Sequence, residues 1–386
     1  MEGQAMQRVV VVGGGVVGAS AAWHLARDGV ATILIDRHDR GHATAAGAGI
    51  LSPGTSPRPL PAFYPFAADA VGYYPDLIQS LAEVGETGTR YDVVGKLILA
   101  FTDEEVNAIP DQLALFEQRR ALGMPGLGNI SVVQALQARS LFPGLGDVQA
   151  AIHVPQAARV DGDYLRQALV AAAMRHGATV RSGDVALDTT SDAVRGVLVD
   201  GEPVAADAVI VAAGAWTDHL LAPLGRSTGV EPQRGQIMHL TVPDADTSRW
   251  PILGGSGDQY ILTFAPNRVV MGATRETGSG FDVRMTAGGL KAVLDHALRV
   301  APGLATGTVH EVRIGLRPVS PDGLPFLGPL PGYDNLVLAT GHGPTGLQLG
   351  PYSGKVAARL VTGKPVESDL GPFAVDRSVM PGALIA

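Results

Sequence analysis

The stretch RVVVVGGGVVGASAAWHLAR, residues 8–27, decides the fold. Its first five residues are a β-branched run that glycines interrupt, and Val16 to Arg27 then has the small-residue and apolar spacing of a helix packed on a sheet. Ala31 to Ile35 reads as the next strand. Strand, turn, helix and strand in that order make a parallel sheet with a right-handed crossover. Gly13, Gly15 and Gly18 form G-x-G-x-x-G. In that motif the first glycine turns the chain tightly, the second leaves room for a pyrophosphate, and the third lets the helix lie close to the strand. Asp36 closes the second strand eighteen positions after Gly18, where an acid meets a ribose hydroxyl. Glycines that served only a tight turn would not need that acid, so the two features together predict dinucleotide binding.

Outward from this unit, Gly54 to Pro65 is proline-rich and takes the chain on an excursion. Tyr73 to about Phe142 reads as helical scaffold with polar loops. Val160 to Arg175 is an amphipathic helix entered through Asp161, and a β-rich stretch follows, ending in the run Ala208 to Trp216, a buried parallel-type strand that ends in glycine. Residues 235–273 alternate as antiparallel strands, with Tyr260 to Phe264 and Arg268 to Met271 joined around Pro266-Asn267. A helix from Gly289 to Val300, the run Arg313 to Arg317, an apolar strand Asn335 to Ala339 and a last helix from about Pro351 to Val361 complete the chain. The expected class is α/β, a Rossmann-like dinucleotide-binding domain (1–60, 150–232 and 313–386) with a β-rich α+β substrate domain inserted (61–149 and 233–312).

Composition narrows the partners. The 386 residues suit two joined domains, and 46% hydrophobic against 17% charged residues is the balance of a folded enzyme. A net charge of −8 with no basic cluster speaks against a nucleic-acid partner. Cysteine is absent, which removes disulfides, thiolate metal sites and any cofactor bond through sulfur, and no metal is expected. The first apolar run ends at once in glycines and no stretch reaches the roughly 18 apolar residues of a membrane span, so a soluble, cytoplasmic protein is expected.

The fingerprint serves NAD and FAD alike, so other segments must decide between them. Ala45, Ala46, Gly49, Ile50 and Leu51 lie in a small-residue stretch where backbone can rest against a flat ring, or which is simply a flexible loop. Ala213, Gly214 and Trp216 end a later strand, where open α/β sheets offer backbone to ligands. Gly343, Pro344, Thr345, Gly346 and Leu347 precede the last helix, whose unpaired N–H groups could stabilise charge on a reduced flavin.

Taken in order, VVVVGGGVVGASAAWHLARDG, AAGAGILSP, EPQRGQ, VVMGATRETG, GLRPVSPDGLPFLGP and LATGHGPTGLQLGPYSG resemble the D-amino acid oxidase and glycine oxidase family of FAD enzymes from Arg8 to about Leu360. The likeness is loosest between Leu60 and Asp161. AAGAGILSP and the Gly280-Phe281-Asp282 and Thr286 to Gly289 segments are most like bacterial glycine oxidases. The resemblance implies non-covalent FAD and oxidation of the C–N bond of an amino acid or N-substituted glycine, with hydride transfer to flavin and hydrolysis of the imine. It implies that Val16, Val17, Arg37, Thr44 and Val185 join the cofactor-binding set, that Arg317 holds the substrate carboxylate, and that Tyr260 lines the pocket. Arginine suits that role because its fork binds both carboxylate oxygens. Glycine oxidases often carry arginine and asparagine where Pro344 and Thr345 stand, so a second cationic contact is missing, which weakens glycine itself as the substrate.

Arg275 is a candidate replacement. If Pro266-Asn267 is a two-residue turn, Tyr260 pairs with Ala273, and alternation puts Arg275 on the face of Tyr260; an ion pair with Glu276 or Asp258 is the alternative. Oxygen or a quinone would reoxidise the flavin. A secondary-amine or imino-acid oxidase or dehydrogenase (sarcosine- or proline-type), a flavin subunit of a heteromeric dehydrogenase, a nicotinamide dehydrogenase and a homo-oligomer all stay open.

Overall fold

A computed structural model describes residues 7–255 and 257–378, apart from the side chain of Asp258. Strands are numbered β1–β20 in chain order. Six form a sheet in the order β19 (Phe326–Leu330), β20 (Tyr333–Thr340), β13 (Ala208–Val211), β1 (Arg8–Val12), β2 (Ala31–Asp36), β9 (Thr179–Ser182). All neighbours in it are parallel except β19 and β20. Val9, Val10, Val11 and Val12 are buried because layers cover both faces of β1, each side chain contributing about 1.5–3 kcal/mol of apolar burial.

The helix Val16–Arg27 packs on this sheet and against the final helix so closely that a side chain on Gly354 would strike the Val17 carbonyl. Ser20 Oγ donates to the Pro351 carbonyl at 2.6 Å across that contact. The final helix begins at Gly346, five residues before the expected start at Pro351. Proline has no N–H to offer the Leu347 carbonyl, and the buried Tyr74 hydroxyl donates there instead, so the helix runs through the proline.

The second large sheet has eight strands in the order β18 (Thr308–Val319), β14 (Glu231–Thr241), β17 (Arg268–Gly272), β16 (Gly257–Phe264), β15 (Ile252–Gly255), β5 (Lys96–Ala100), β7 (Ala150–Val154), β6 (Ser131–Gln134). Two three-stranded sheets, β10 (Val185–Thr189), β11 (Val194–Val199), β12 (Glu202–Ala205) and β3 (Ile50–Leu51), β8 (Ala158–Arg159), β4 (Asp92–Val93), flank them. The stretch expected to be helical scaffold therefore supplies sheet: KLILA forms β5, one of the inner strands, because its apolar run is short and enclosed. Residues 150–154, placed by sequence with the dinucleotide unit, pair with β5 in this second sheet. Among the described residues no helix is long and apolar enough to cross a membrane.

Candidate active site

One cavity of about 540 Å³ runs from the ends of β1 and β2 to the face of the eight-stranded sheet. At its first end, Gly13 has φ +104° and packs so tightly that a side chain would meet the Ala212 carbonyl. A Cβ on Gly18 would strike the Gly13 carbonyl, so Gly18 serves packing and does not line the cavity. Gly15 differs: a Cβ there would meet only Thr44 Oγ1, at 3.3 Å, and the space beside it is open. Thr44 Oγ1 accepts the Val16 N–H at 3.1 Å, fixing the head of the helix, with Val16 and Val17 on the cavity wall. Asp36 accepts the N–H groups of Gly14 and of His38, the latter at 2.6 Å, and Arg37 is tied to Asp39 and to Asp184 beside Val185.

Thr44, Ala46, Gly49, Ile50, Ala213, Gly214, Trp216, Gly343, Pro344, Thr345, Gly346 and Leu347 line the middle. Two expected members do not. Leu51 points into the core, fully buried, because β3 pairs it with Ala158, and Ala45 turns its carbonyl to the Arg313 guanidinium at 2.9 Å. Arg313 is itself paired with Glu311 at 2.6 Å and so clamps the small-residue stretch, a role invisible in sequence. His342 is buried with Nε2 2.9 Å from Ser353 Oγ, and burial lowers its pKa to about 4, which leaves it neutral at pH 7.

At the far end lie Arg317, Tyr260 and Arg275. Arg317 reaches from β18 across Gly235 of β14 and donates to the Thr274 carbonyl at 2.9 Å. Tyr260 is half-buried; burial pushes its phenol up, against the opposing pull of the Arg317 and Arg275 guanidiniums. The expected hairpin register is off by one: Tyr260 pairs with Gly272, because Phe264 pairs with Arg268 and encloses a three-residue loop, 265–267. A second shift cancels the first. Ile237 faces Gly272 while Arg234 faces Glu276, so one extra residue enters the strand between them and restores Arg275 to the cavity. Glu276 is held by Arg234 at 2.6 Å rather than by Arg275, and the alternative partner, the side chain of Asp258, lies outside the described residues.

Sequence reasoning missed Lys96, which enters the same cavity from β5 and donates to Thr55 Oγ1 at 2.8 Å. Burial lowers its pKa to about 8. The available signal was a lysine heading an enclosed apolar run. Among the described residues no cluster of ligating side chains could hold a metal ion.

The residues present fit FAD. The open space at Gly15 admits a pyrophosphate at a helix head, Asp36 and Val185 lie where ribose and adenine would, and the small-residue stretch clamped by Arg313 offers backbone to a ring system. Fold and site define an FAD-dependent oxidoreductase. A family model described as FAD dependent oxidoreductase, DAO, matches residues 8–360, and the chain belongs to that family. It is 42% identical over 369 residues to the uncharacterized oxidoreductase YurR of Bacillus subtilis (strain 168), covering 95% of this chain and 98% of the relative. It is 33% identical over 378 residues to a glycine oxidase of Pseudomonas aeruginosa, covering 95% and 98%. The crystal structure of iminodiacetate oxidase from Chelativorans sp. BNC1 superposes with a TM-score of 0.91 at 41% identity, covering 95% and 98%.

Proposed function

We propose that this enzyme oxidises the Cα–N bond of a small amino acid or N-substituted glycine whose carboxylate is held by Arg317 and Tyr260. The observation that carries this reading is the Arg317 guanidinium laid over Gly235 at the inner end of the cavity, beside the Tyr260 phenol. A planar fork there takes both oxygens of a carboxylate and leaves the Cα–H at a fixed height above the cofactor site. Bound FAD supplies the two-electron acceptor. The substrate gives up a hydride from Cα and a proton from nitrogen; water adds to the resulting imine, releasing an oxo acid and an amine or ammonia. No nucleophile or metal is required of the protein, and neutral His342 adds no charge near the final helix.

The cofactor-contact roles of Gly15, Asp36, Val185 and the small-residue segments, the assignment of the eight-stranded sheet to the substrate, and a contribution of Arg275 to substrate choice belong to this proposal. The iminodiacetate and glycine oxidases among its relatives support it, and Pro344 in place of a second arginine favours an N-substituted glycine over glycine. A panel of both enantiomers of the common amino acids with sarcosine and proline, read by bleaching of the bound flavin without oxygen, tests it; peroxide release in air separates an oxidase from a quinone-coupled or partner-dependent dehydrogenase.

A further inference from the structure

EPQRGQ (231–236) opens β14, and GATRETG (272–278) carries the chain out of β17 beside it. One extra residue enters between the pairs Ile237–Gly272 and Arg234–Glu276, and there a backbone hydrogen bond is exchanged. The Thr274 N–H donates to the Gln236 carbonyl at 3.3 Å, as in a regular antiparallel pair. The return bond differs. The Gln236 N–H donates not to the Thr274 carbonyl but to the Thr274 hydroxyl, at 2.9 Å. That carbonyl is thereby released, and it accepts the Arg317 guanidinium at 2.9 Å.

The hydroxyl can take the carbonyl's place because its own proton has a fixed destination. Thr274 Oγ1 donates to Glu276 Oε1 at 2.7 Å, which leaves a lone pair turned to the Gln236 N–H. Glu276 is itself held on both oxygens. Oε1 also accepts the Gln236 side-chain amide at 2.6 Å, and Oε2 accepts Arg234 at 2.6 Å and 2.9 Å. Burial raises the Glu276 pKa, yet the hydrogen bonds from Gln236, Thr274 and Arg234 outweigh it and hold the carboxyl below its usual range, so it stays an ionised acceptor. Arg234 is anchored in turn by Asp282 at 2.7 Å. Gln236, Thr274 and Arg234 are buried, so bulk water does not compete for these groups.

We propose that Thr274 is a positioning residue for substrate binding: its hydroxyl, oriented by Glu276, replaces its own carbonyl in the strand pair and so frees that carbonyl to aim Arg317. This rests on the reading of Arg317 as the group that holds the substrate carboxylate. Without the hydroxyl, the buried Gln236 N–H is left to the Thr274 carbonyl, the acceptor that an ordinary strand pair supplies, and Arg317 loses it. A guanidinium turned from that carbonyl keeps its charge and loses the alignment of its fork. The cofactor end of the cavity is untouched by the exchange.

The test removes and restores the hydroxyl in the FAD-loaded enzyme with Thr274→Val, which is nearly isosteric, and Thr274→Ser. Propionate, a carboxylate without an amine, is titrated calorimetrically, and kcat and KM are measured with the best substrate of the panel above. Thr274→Val is expected to keep its flavin, to bind propionate about tenfold more weakly, the scale of one hydrogen bond, and to lose kcat/KM through KM. Thr274→Ser is expected to match the parent. Thr274→Ala puts no methyl group against Glu276 and answers the same question if the valine variant does not fold. Propionate binding at the parent's level without the hydroxyl overturns the proposal. So does a loss that serine leaves in place, or one matched by an equal loss of flavin affinity, either of which makes Thr274 a general support of the fold. Arg317→Lys, run alongside, separates the two claims. If it binds propionate as the parent does, the reading of Arg317 fails and the proposal with it; a weakened Arg317→Lys beside an unchanged Thr274→Val overturns the proposal alone.

Discussion

The guanidinium of Arg317 occupies the space that a side chain at residue 235 would need: a Cβ on Gly235 would lie 2.6 Å from its Cζ. The two residues sit on adjacent strands two positions from facing each other, and so on the same face, since Gly235 pairs with Gly315 and Arg317 with Gln233. Gly235→Ala should therefore push the guanidinium off the Thr274 carbonyl without touching the cofactor end. The expected result is full flavin content with kcat/KM lowered on the order of tenfold to a hundredfold, each tenfold being about 1.4 kcal/mol. Steady-state kinetics with flavin quantitation checks it, and unchanged kinetics would separate Gly235 from the positioning of Arg317.

Arg317→Lys keeps the positive charge and discards the fork. An ammonium on a flexible stem makes one directed contact where the guanidinium makes two. We expect flavin to be retained and a loss of about 2–4 kcal/mol in transition-state stabilisation, the scale of a lost preorganised donor. Equal efficiency toward the best carboxylate substrate would take Arg317 out of the site.

Gly15→Val should abolish FAD binding and leave the fold standing. Gly13 and Gly18 are hemmed in by backbone, but a Cβ on Gly15 meets only Thr44 Oγ1 at 3.3 Å, so the branched side chain projects into the cavity. Circular dichroism close to the parent's with no bound flavin is the expected pair of results. A yellow variant would show that the phosphates lie elsewhere.

His342 links stability to pH. Burial lowers its folded-state pKa to about 4 from the ordinary 6.5, so the folded state favours the neutral ring. Between those values the unfolded chain binds more protons, and the stability that neutral His342 contributes is complete above about pH 6.5 and lost as pH falls toward 4. At pH 5 that loss amounts to about 2 kcal/mol. Buried His24 and His239 are lowered as well and act in the same direction. Replacing His342 by Asn should shrink the difference in Tm between pH 7 and pH 5; an unaltered difference would place the acid sensitivity on the other histidines.

The cofactor half of the molecule was largely legible because its signals are local. Four valines, three glycines and Asp36 state a strand, a turn and a strand end within one short stretch, and the backbone follows them. The substrate half was less so, because its geometry depends on pairings between distant segments. The three-residue loop 265–267 and the extra residue after Gly272 each reverse the faces of a strand, and Arg275 faces the cavity only because both occur. Lys96, Gly235 and Gly254 belong to strands far apart in sequence, and nothing local marks a glycine that makes room for a cation on a neighbouring strand. Leu51 misled for a related reason: in its segment Ile50 faces the cavity and Leu51 the core, an alternation that pairing with β8 sets.

The central claim is that this chain carries FAD and uses it to oxidise a carboxylate-bearing amine held by Arg317. The most direct measurement is the visible spectrum of the purified protein, recorded without oxygen before and after addition of N-methylated and N-carboxymethylated glycines. The account predicts a flavin spectrum that bleaches with at least one of them in the parent and resists bleaching in Arg317→Lys. A protein that holds flavin but is reduced by no amino acid or N-substituted glycine, or whose Arg317→Lys variant bleaches at the parent's rate, would contradict it.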